Sequence, residues 1–164
     1  MALLDFVAQG LLNADATLTQ RFCEVARGVS GAAKAALYVT DGSQVRCLGL
    51  APPHLGSPLI ETQDEAHFPW AMGRLQPSRF ILVEDATRLP LAGGGFVGDL
   101  GLRSAVHLPM GAGSTGALHL YWDRVLQSWD DDLGAQLRAA GGLVVAHALD
   151  RRGESTPTRR RSDP

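Results

Sequence analysis

The sequence predicts an α+β domain in which helices pack on one face of an antiparallel sheet. Apolar residues recur at helical spacing at both ends of the chain, and the strand pair over residues 102–122 alternates between two faces. Residues 35–40 and 44–50 form two strands joined by Asp41-Gly42, which favours a hairpin because both residues tolerate positive φ. Consecutive hairpins make the sheet antiparallel, so helices must cover one face.

The composition fits a single domain. The 164 residues are 45% hydrophobic and 20% charged, enough to bury a core without metals or disulfides. The 15 basic and 17 acidic residues give a net charge of −2, unlike a protein that binds nucleic acid or an anionic membrane. Asp5 interrupts the apolar start, which has no signal-peptide cleavage site, and no run approaches the roughly 18 apolar residues of a membrane span. We therefore expect a cytoplasmic protein.

Two amphipathic helices are predicted before residue 31. Their apolar positions are Leu3, Leu4, Val7 and Leu11, then Leu18, Phe22, Val25, Ala26 and Val29. Thr17 and Gln20 predict a capping box for the second helix, and Gly31 predicts its end.

The middle of the chain is rich in proline and glycine, which predicts loops with short elements. These elements are a strand at residues 59–61, a helix at 68–75, a strand at 79–84 and a mobile glycine-rich segment at 91–101.

The last helix is predicted over residues 128–152. Ser128 and Asp131 predict a capping pair at its start, and Arg151 and Arg152 complement the negative end of its dipole. The domain then spans residues 1–152, and residues 153–164 are predicted to form a disordered polar and basic tail.

The strands over residues 102–110 and 115–122 have two distinct faces, because side chains alternate across a strand. The even-numbered face, predicted to lie under the helices, is nearly all apolar: Leu102, Ser104, Val106, Leu108, Leu118, Leu120 and Trp122. The odd-numbered face mixes polar and small side chains: Arg103, Ala105, His107, Pro109, Ala117, His119 and Tyr121. Two imidazoles and a phenol among small residues are typical of a partly enclosed wall, so we predict that this face is the floor of a pocket.

The order of several motifs resembles a GAF domain. The motifs are Phe68-Pro69-Trp70, Asp85 with Leu89-Pro90, Gly101-Leu102-Arg103-Ser104 leading to Leu108-Pro109, Gly116-Ala117-Leu118, and the final helix ending in Ala148-Leu149. The resemblance covers about residues 3–152 and is to GAF domains attached to bacterial histidine kinases and cyclic-dinucleotide enzymes. It implies a six-stranded antiparallel sheet with the terminal helices on one face and a ligand pocket on the other, roofed by short helices and loops.

The resemblance also implies ligand-binding positions. The pocket-facing positions of bilin-binding GAF domains match Ala105, His107, Ala117, His119 and Tyr121, and Trp70 falls in the roof helix, where an indole can stack on a flat ligand. Ligand and cofactor stay unknown. The sequence offers no evident cysteine for covalent bilin attachment, and its histidine spacing does not predict a metal or haem site. No catalytic residue is predicted.

Three functions are compatible with these residues. The first, which we predict, is a small-molecule-sensing regulatory domain that signals through a homodimer or a separate output protein, because no output domain follows. The second is a structural dimerisation module with a vestigial pocket, joined through the terminal helices and the Ala140-Gly141-Val144 face. The third is a reductase of methionine sulfoxide, as in some stand-alone GAF proteins. That chemistry needs a nucleophilic cysteine, whereas Cys23 and Cys47 are predicted to be buried thiols.

Two further motifs match catalytic or cofactor patterns only by letter. Gly93-Gly94-Gly95-Phe96-Val97-Gly98 lacks the preceding strand and following helix of a dinucleotide fingerprint. Ala112-Gly113-Ser114-Thr115-Gly116 places its serine in a predicted hairpin turn rather than on a strand-to-helix elbow.

Overall fold

Helices from both ends of the chain pack on one face of an antiparallel sheet. The computed structural model describes residues 2–41, 44–53, 63–64, 79–88, 101–110 and 116–154. Helices α1 (Leu3–Leu12) and α2 (Leu18–Ser30) precede the sheet, and α3 (Asp131–Glu154) follows it. The predicted α+β class is confirmed. Among the described helices there is none with the length and hydrophobicity that crossing a bilayer would require.

The strands are β1 (Lys34–Asp41), β2 (Gln44–Ala51), β3 (Gln63–Asp64), β4 (Ile81–Val83), β5 (Ser104–Met110) and β6 (Gly116–Trp122). Five of them lie side by side in the order β2-β1-β6-β5-β4, and the two residues of β3 pair with the start of β2. All neighbouring strands are antiparallel. Asp41 lies opposite Gln44, as the predicted hairpin requires.

Several predicted elements lie outside the described residues. They are the strand at 59–61, the helix at 68–75 with Trp70, and the glycine-rich segment at 91–101 apart from Gly101. The same holds for residues 112–115 of the serine motif and for the tail from residue 155. Helix α3 extends to Glu154, two residues into the segment predicted as tail.

The predicted capping box of α2 is wrong. Thr17 makes no side-chain cap bond, and its N–H and hydroxyl donate instead to Asp15 Oδ1 at 2.8 and 2.7 Å. Gln20 reaches the sheet, where its amide oxygen accepts from the Leu50 N–H at 3.0 Å and its amide nitrogen donates to the Leu50 carbonyl. Gln20 therefore fastens α2 to β2. The end predicted at Gly31 is confirmed by its left-handed φ of +68°.

The predicted capping pair of α3 is also wrong, because the helix begins later than expected. Asp130 Oδ1 accepts hydrogen bonds from the N–H groups of Asp132 at 2.9 Å and Leu133 at 3.1 Å. Ser128 lies three residues before the first helical residue, too early to cap it.

The core lies between the helices and the even-numbered face of β5 and β6. Val106, Leu108, Leu118, Leu120 and Trp122 are all buried there, which confirms the predicted helix-facing side.

Helix α3 approaches this core closely at Gly141. A Cβ at Gly141 would lie 2.3 Å from Met110 Sδ and 3.0 Å from Phe22 Cζ. Ala140 and Val144, predicted to form a dimer face with Gly141, are fully buried within the same chain. That part of the predicted interface is wrong, because the chain's own core already occupies the face.

Candidate functional site

The structure brings together five of the six predicted ligand-binding residues. The register of β5 and β6 places His107 opposite His119, Ala105 opposite Tyr121 and Pro109 opposite Ala117. Because these positions share one side of the sheet, they form a continuous wall on the side away from the helical core. Trp70, the sixth residue, lies outside the described part of the chain.

Aromatic contacts join the polar members of this wall. The His107 and His119 rings meet edge to face with their centroids 4.3 Å apart. The His119 Nδ1 atom is 3.0 Å from the Tyr121 hydroxyl, a buried hydrogen bond. We call these residues, together with Tyr38, the imidazole–phenol wall.

Sequence reasoning missed Tyr38. Tyr38 lies in β1 opposite Ala117 of β6, and the centroid of its ring is 5.1 Å from that of His119. The alternation of side chains along β1 could have identified it, because that alternation places Tyr38 on one face of the sheet just as it does the residues of β5 and β6.

Burial keeps this wall uncharged. It lowers the pKa of His107 to about 3. It also lowers the pKa of His119 well below the ordinary value, and the neighbouring His107 adds to this effect. Burial raises the pKa values of Tyr38 and Tyr121, so both phenols stay protonated. Each neutral imidazole then has one donor and one acceptor nitrogen.

His107 has a buried ring nitrogen without a partner in the described part of the chain. Its Nδ1 atom makes no hydrogen bond there. An unsatisfied buried polar group costs about 1–3 kcal/mol, so a hydrogen-bonding molecule against this nitrogen would recover free energy.

A small apolar cluster borders the wall at the end of β4. It consists of Val83, Ala86, Leu102, Ala105 and Tyr121. Leu102 was assigned by its even number to the helix-facing side, and this assignment is wrong. It lies two residues before β5 begins, where strict alternation no longer holds.

An ion pair lies beside this cluster. The guanidinium of Arg103 donates to Asp85 Oδ2 at 2.8 Å, and the Thr87 hydroxyl and N–H donate to Asp85 Oδ1 at 2.7 and 3.2 Å. The bond from the Thr87 hydroxyl is the main cause that lowers the pKa of Asp85. Arg103, predicted on the pocket side, is thus held against the 86–88 turn.

The described side chains give little support for metal or thiol chemistry. Within the described ranges, no three His, Cys, Asp or Glu residues are grouped as a metal site requires. Burial raises the pKa of the Cys47 thiol to about 11 and that of Cys23 further, so neither forms a ready thiolate.

Helices on one side of an antiparallel sheet, with the imidazole–phenol wall on the other, give an α+β domain with a GAF-like fold, and solved structures agree. A phycoerythrobilin-bound GAF domain from a cyanobacterial phytochrome matches with a TM-score of 0.71 and 14% identity, covering 93% of this chain and 96% of that one. A phycocyanobilin-bound GAF domain from a cyanobacterial phytochrome matches with a TM-score of 0.69 and 16% identity, at the same coverage.

A third similar structure is a domain of a protein described as a two-component sensor histidine kinase, from Sinorhizobium meliloti 1021. Its TM-score is 0.60 at 16% identity, covering 82% of this chain and 92% of that one. No protein-family model and no curated protein sequence matches this chain. The chain is therefore a GAF-like domain by its fold, as its motifs predicted.

Proposed function

We propose that this protein is a small-molecule-sensing domain of signal transduction that binds its ligand against the imidazole–phenol wall. The observation that carries the proposal is His107 Nδ1, a buried nitrogen that lacks a hydrogen-bond partner among the described residues. Burying this nitrogen unpaired costs free energy, which a hydrogen-bonding ligand against the wall would recover. The similar domains come from a sensor kinase and from phytochromes, which supports a sensory role.

The wall also indicates how such a ligand would be held. Ala105 and Ala117 are the short side chains of the wall, and His107, His119 and Tyr121 are its hydrogen-bonding groups. A flat molecule with polar atoms at its edge would pack on the small residues and bond to the imidazoles. Its signal would pass through the terminal helices to a homodimer or to a separate output protein.

The test is a thermal-shift screen with cyclic nucleotides, bilins, haem and small organic acids as probes. A ligand at 100 times its Kd stabilises the native state by about 2.7 kcal/mol, which raises Tm by several degrees. His107→Leu removes the unpaired nitrogen, so we expect the affinity for that probe to fall about tenfold or more.

The matched control is His147→Leu, which changes the same residue type on α3, away from the wall. We expect it to bind the probe as the wild type does. Absence of any shift across the panel, or equal affinity in the His107→Leu variant, would count against the proposal.

A second candidate is a dimerisation module, favoured by apolar side chains that α1 and α3 leave in solvent. Leu4 and Leu12 are 48% and 86% exposed on α1, and Leu143 is 47% exposed on α3. Apolar residues at exposed helix positions are candidates for an isologous contact, in place of the buried Ala140-Gly141-Val144 face.

For this candidate, light scattering should detect a dimer at micromolar concentration. Leu143→Glu should weaken dimerisation about tenfold or more, because a charge would be buried in the contact. Val29→Glu on α2 is the control. Val29 is similarly exposed, at 52%, but α2 is not one of the two helices, α1 and α3, that form this candidate interface. A monomeric wild-type protein would rule the module out.

A further inference from the structure

Ser104 is the one polar side chain on the helix-facing side of β5, and it is fully buried. Its Oγ atom lies 2.5 Å from the Glu84 carbonyl oxygen and 2.6 Å from the Arg124 carbonyl oxygen. It also accepts a hydrogen bond from the Leu126 N–H at 2.8 Å. A single hydroxyl thus joins three separate stretches of backbone, at a point that we call the Ser104 junction.

The two carbonyl contacts compete for one proton. A serine hydroxyl carries a single O–H donor, so it can donate fully to Glu84 or to Arg124 but not to both. The Leu126 N–H likewise has two possible acceptors, because its nitrogen lies 3.3 Å from the Glu84 carbonyl oxygen and 2.8 Å from Ser104 Oγ. The junction therefore has two hydrogen-bonding arrangements of similar geometry.

One side of the junction leads to the pocket wall. Glu84 lies between Val83 and Asp85, at the end of β4. Val83 and Ala86 pack with Tyr121 in the apolar cluster beside the wall, and the Ala86 N–H donates to the Arg103 carbonyl at 2.6 Å. A shift of the Tyr121 side of the wall would move the Glu84 carbonyl with it.

The other side leads to α3. Leu126 and Trp129 pack against the core, and the Trp129 ring lies 6.0 Å from that of Trp122. The next residue, Asp130, caps α3, and its carbonyl accepts from the Gly134 N–H at 2.9 Å. Residues 124–130 therefore connect the junction to the first turn of the helix.

We propose that Ser104 is a positioning residue that couples the imidazole–phenol wall to the start of α3, because its O–H can rotate to donate to either the Glu84 or the Arg124 carbonyl. Coupling of this kind needs an element with two arrangements that both ends can bias, and the junction has that property. Its use in sensing rests on the proposed function, but the coupling itself requires no ligand.

The test uses Tyr121→Phe as a disturbance of the wall and native-state hydrogen exchange as the readout. The change removes the hydroxyl that bonds to His119 and leaves the ring. In the otherwise wild-type protein, we expect Tyr121→Phe to change the hydrogen-exchange rates of the Leu126 and Gly134 amides by roughly 2- to 30-fold. This range corresponds to coupling free energies of about 0.5–2 kcal/mol. In a Ser104→Ala background the same change should leave both amides unaffected.

Two control variants should keep the coupling. Ser104→Thr retains the hydroxyl, and Ser128→Ala changes an exposed serine that lies just before α3. If Ser104→Ala does not fold, Ser104→Cys replaces it, because a thiol is a weak donor and should reduce the coupling in the same way. An equal effect of Tyr121→Phe with and without the hydroxyl, or no effect in either background, would overturn the proposal. No ligand enters this experiment, so its failure is distinct from a failed ligand screen.

Discussion

Acidification from about pH 6.5 to 4.5 is expected to remove about 2 kcal/mol of folding free energy through His107 alone, and His119 adds to this loss. The cause is the buried histidine pair. The pKa of His107 falls from 6.5 to about 3 in the folded protein, and that of His119 lies well below 6.5. In this window the imidazoles gain protons in the unfolded chain that burial opposes in the native protein, so stability falls as the pH falls.

His107 contributes at most about 1.4 kcal/mol per pH unit below pH 6.5, and His119 makes the slope steeper. Urea unfolding at several pH values measures how the free energy of unfolding depends on pH. His107→Leu removes one of the two groups and should make that dependence shallower.

Two hydrogen-bonded carboxylates add little to this pH dependence. Hydrogen bonds from Thr17 lower the pKa of Asp15 from 3.8 to about 2, and those from Thr87 lower the pKa of Asp85. A carboxylate with a lowered pKa begins to lose its contribution about one pH unit above its unfolded pKa, so these two act only at the acidic end of the histidine window. A free energy of unfolding that stays constant between pH 6.5 and 4.5 would show that the imidazoles are not buried as described.

The side-chain faces of the last two strands could be predicted from sequence because a strand has a fixed period. Once β5 and β6 were identified, alternation alone separated Val106 and Leu120 from His107 and His119. Alternation does not assign Leu102, because the strand has not begun there. Tyr38 lies on a third strand, β1, whose faces follow from the same alternation.

Long-range polar contacts could not be predicted in this way. The Thr17 and Gln20 pattern is compatible with a helix cap, but the Gln20 amide bonds to Leu50, which is thirty residues away. Ser104 was visible as a polar exception on an apolar face. Its partners, Glu84 and Arg124, become neighbours only when the sheet forms.

Helix α2 packs so closely on β2 at Gly49 that an added methyl group does not fit between them. A Cβ at Gly49 would lie 2.6 Å from the Thr19 carbonyl oxygen and 2.9 Å from its carbonyl carbon. Both atoms belong to the backbone of α2, so the helix itself would have to move. The nearby hydrogen bonds between Gln20 and Leu50 would be strained by that movement.

We therefore expect Gly49→Ala to lower the free energy of unfolding by about 2–4 kcal/mol, from overpacking together with weakened hydrogen bonds. Gly28→Ala is the matched control, because Gly28 lies on the exposed side of α2 and an added Cβ meets no atom within 4 Å. There the same change should stabilise the protein by up to about 1 kcal/mol through helix propensity. The two variants should thus differ in sign in urea unfolding. A Gly49→Ala protein as stable as the wild type would mean that α2 does not approach β2 as closely as described.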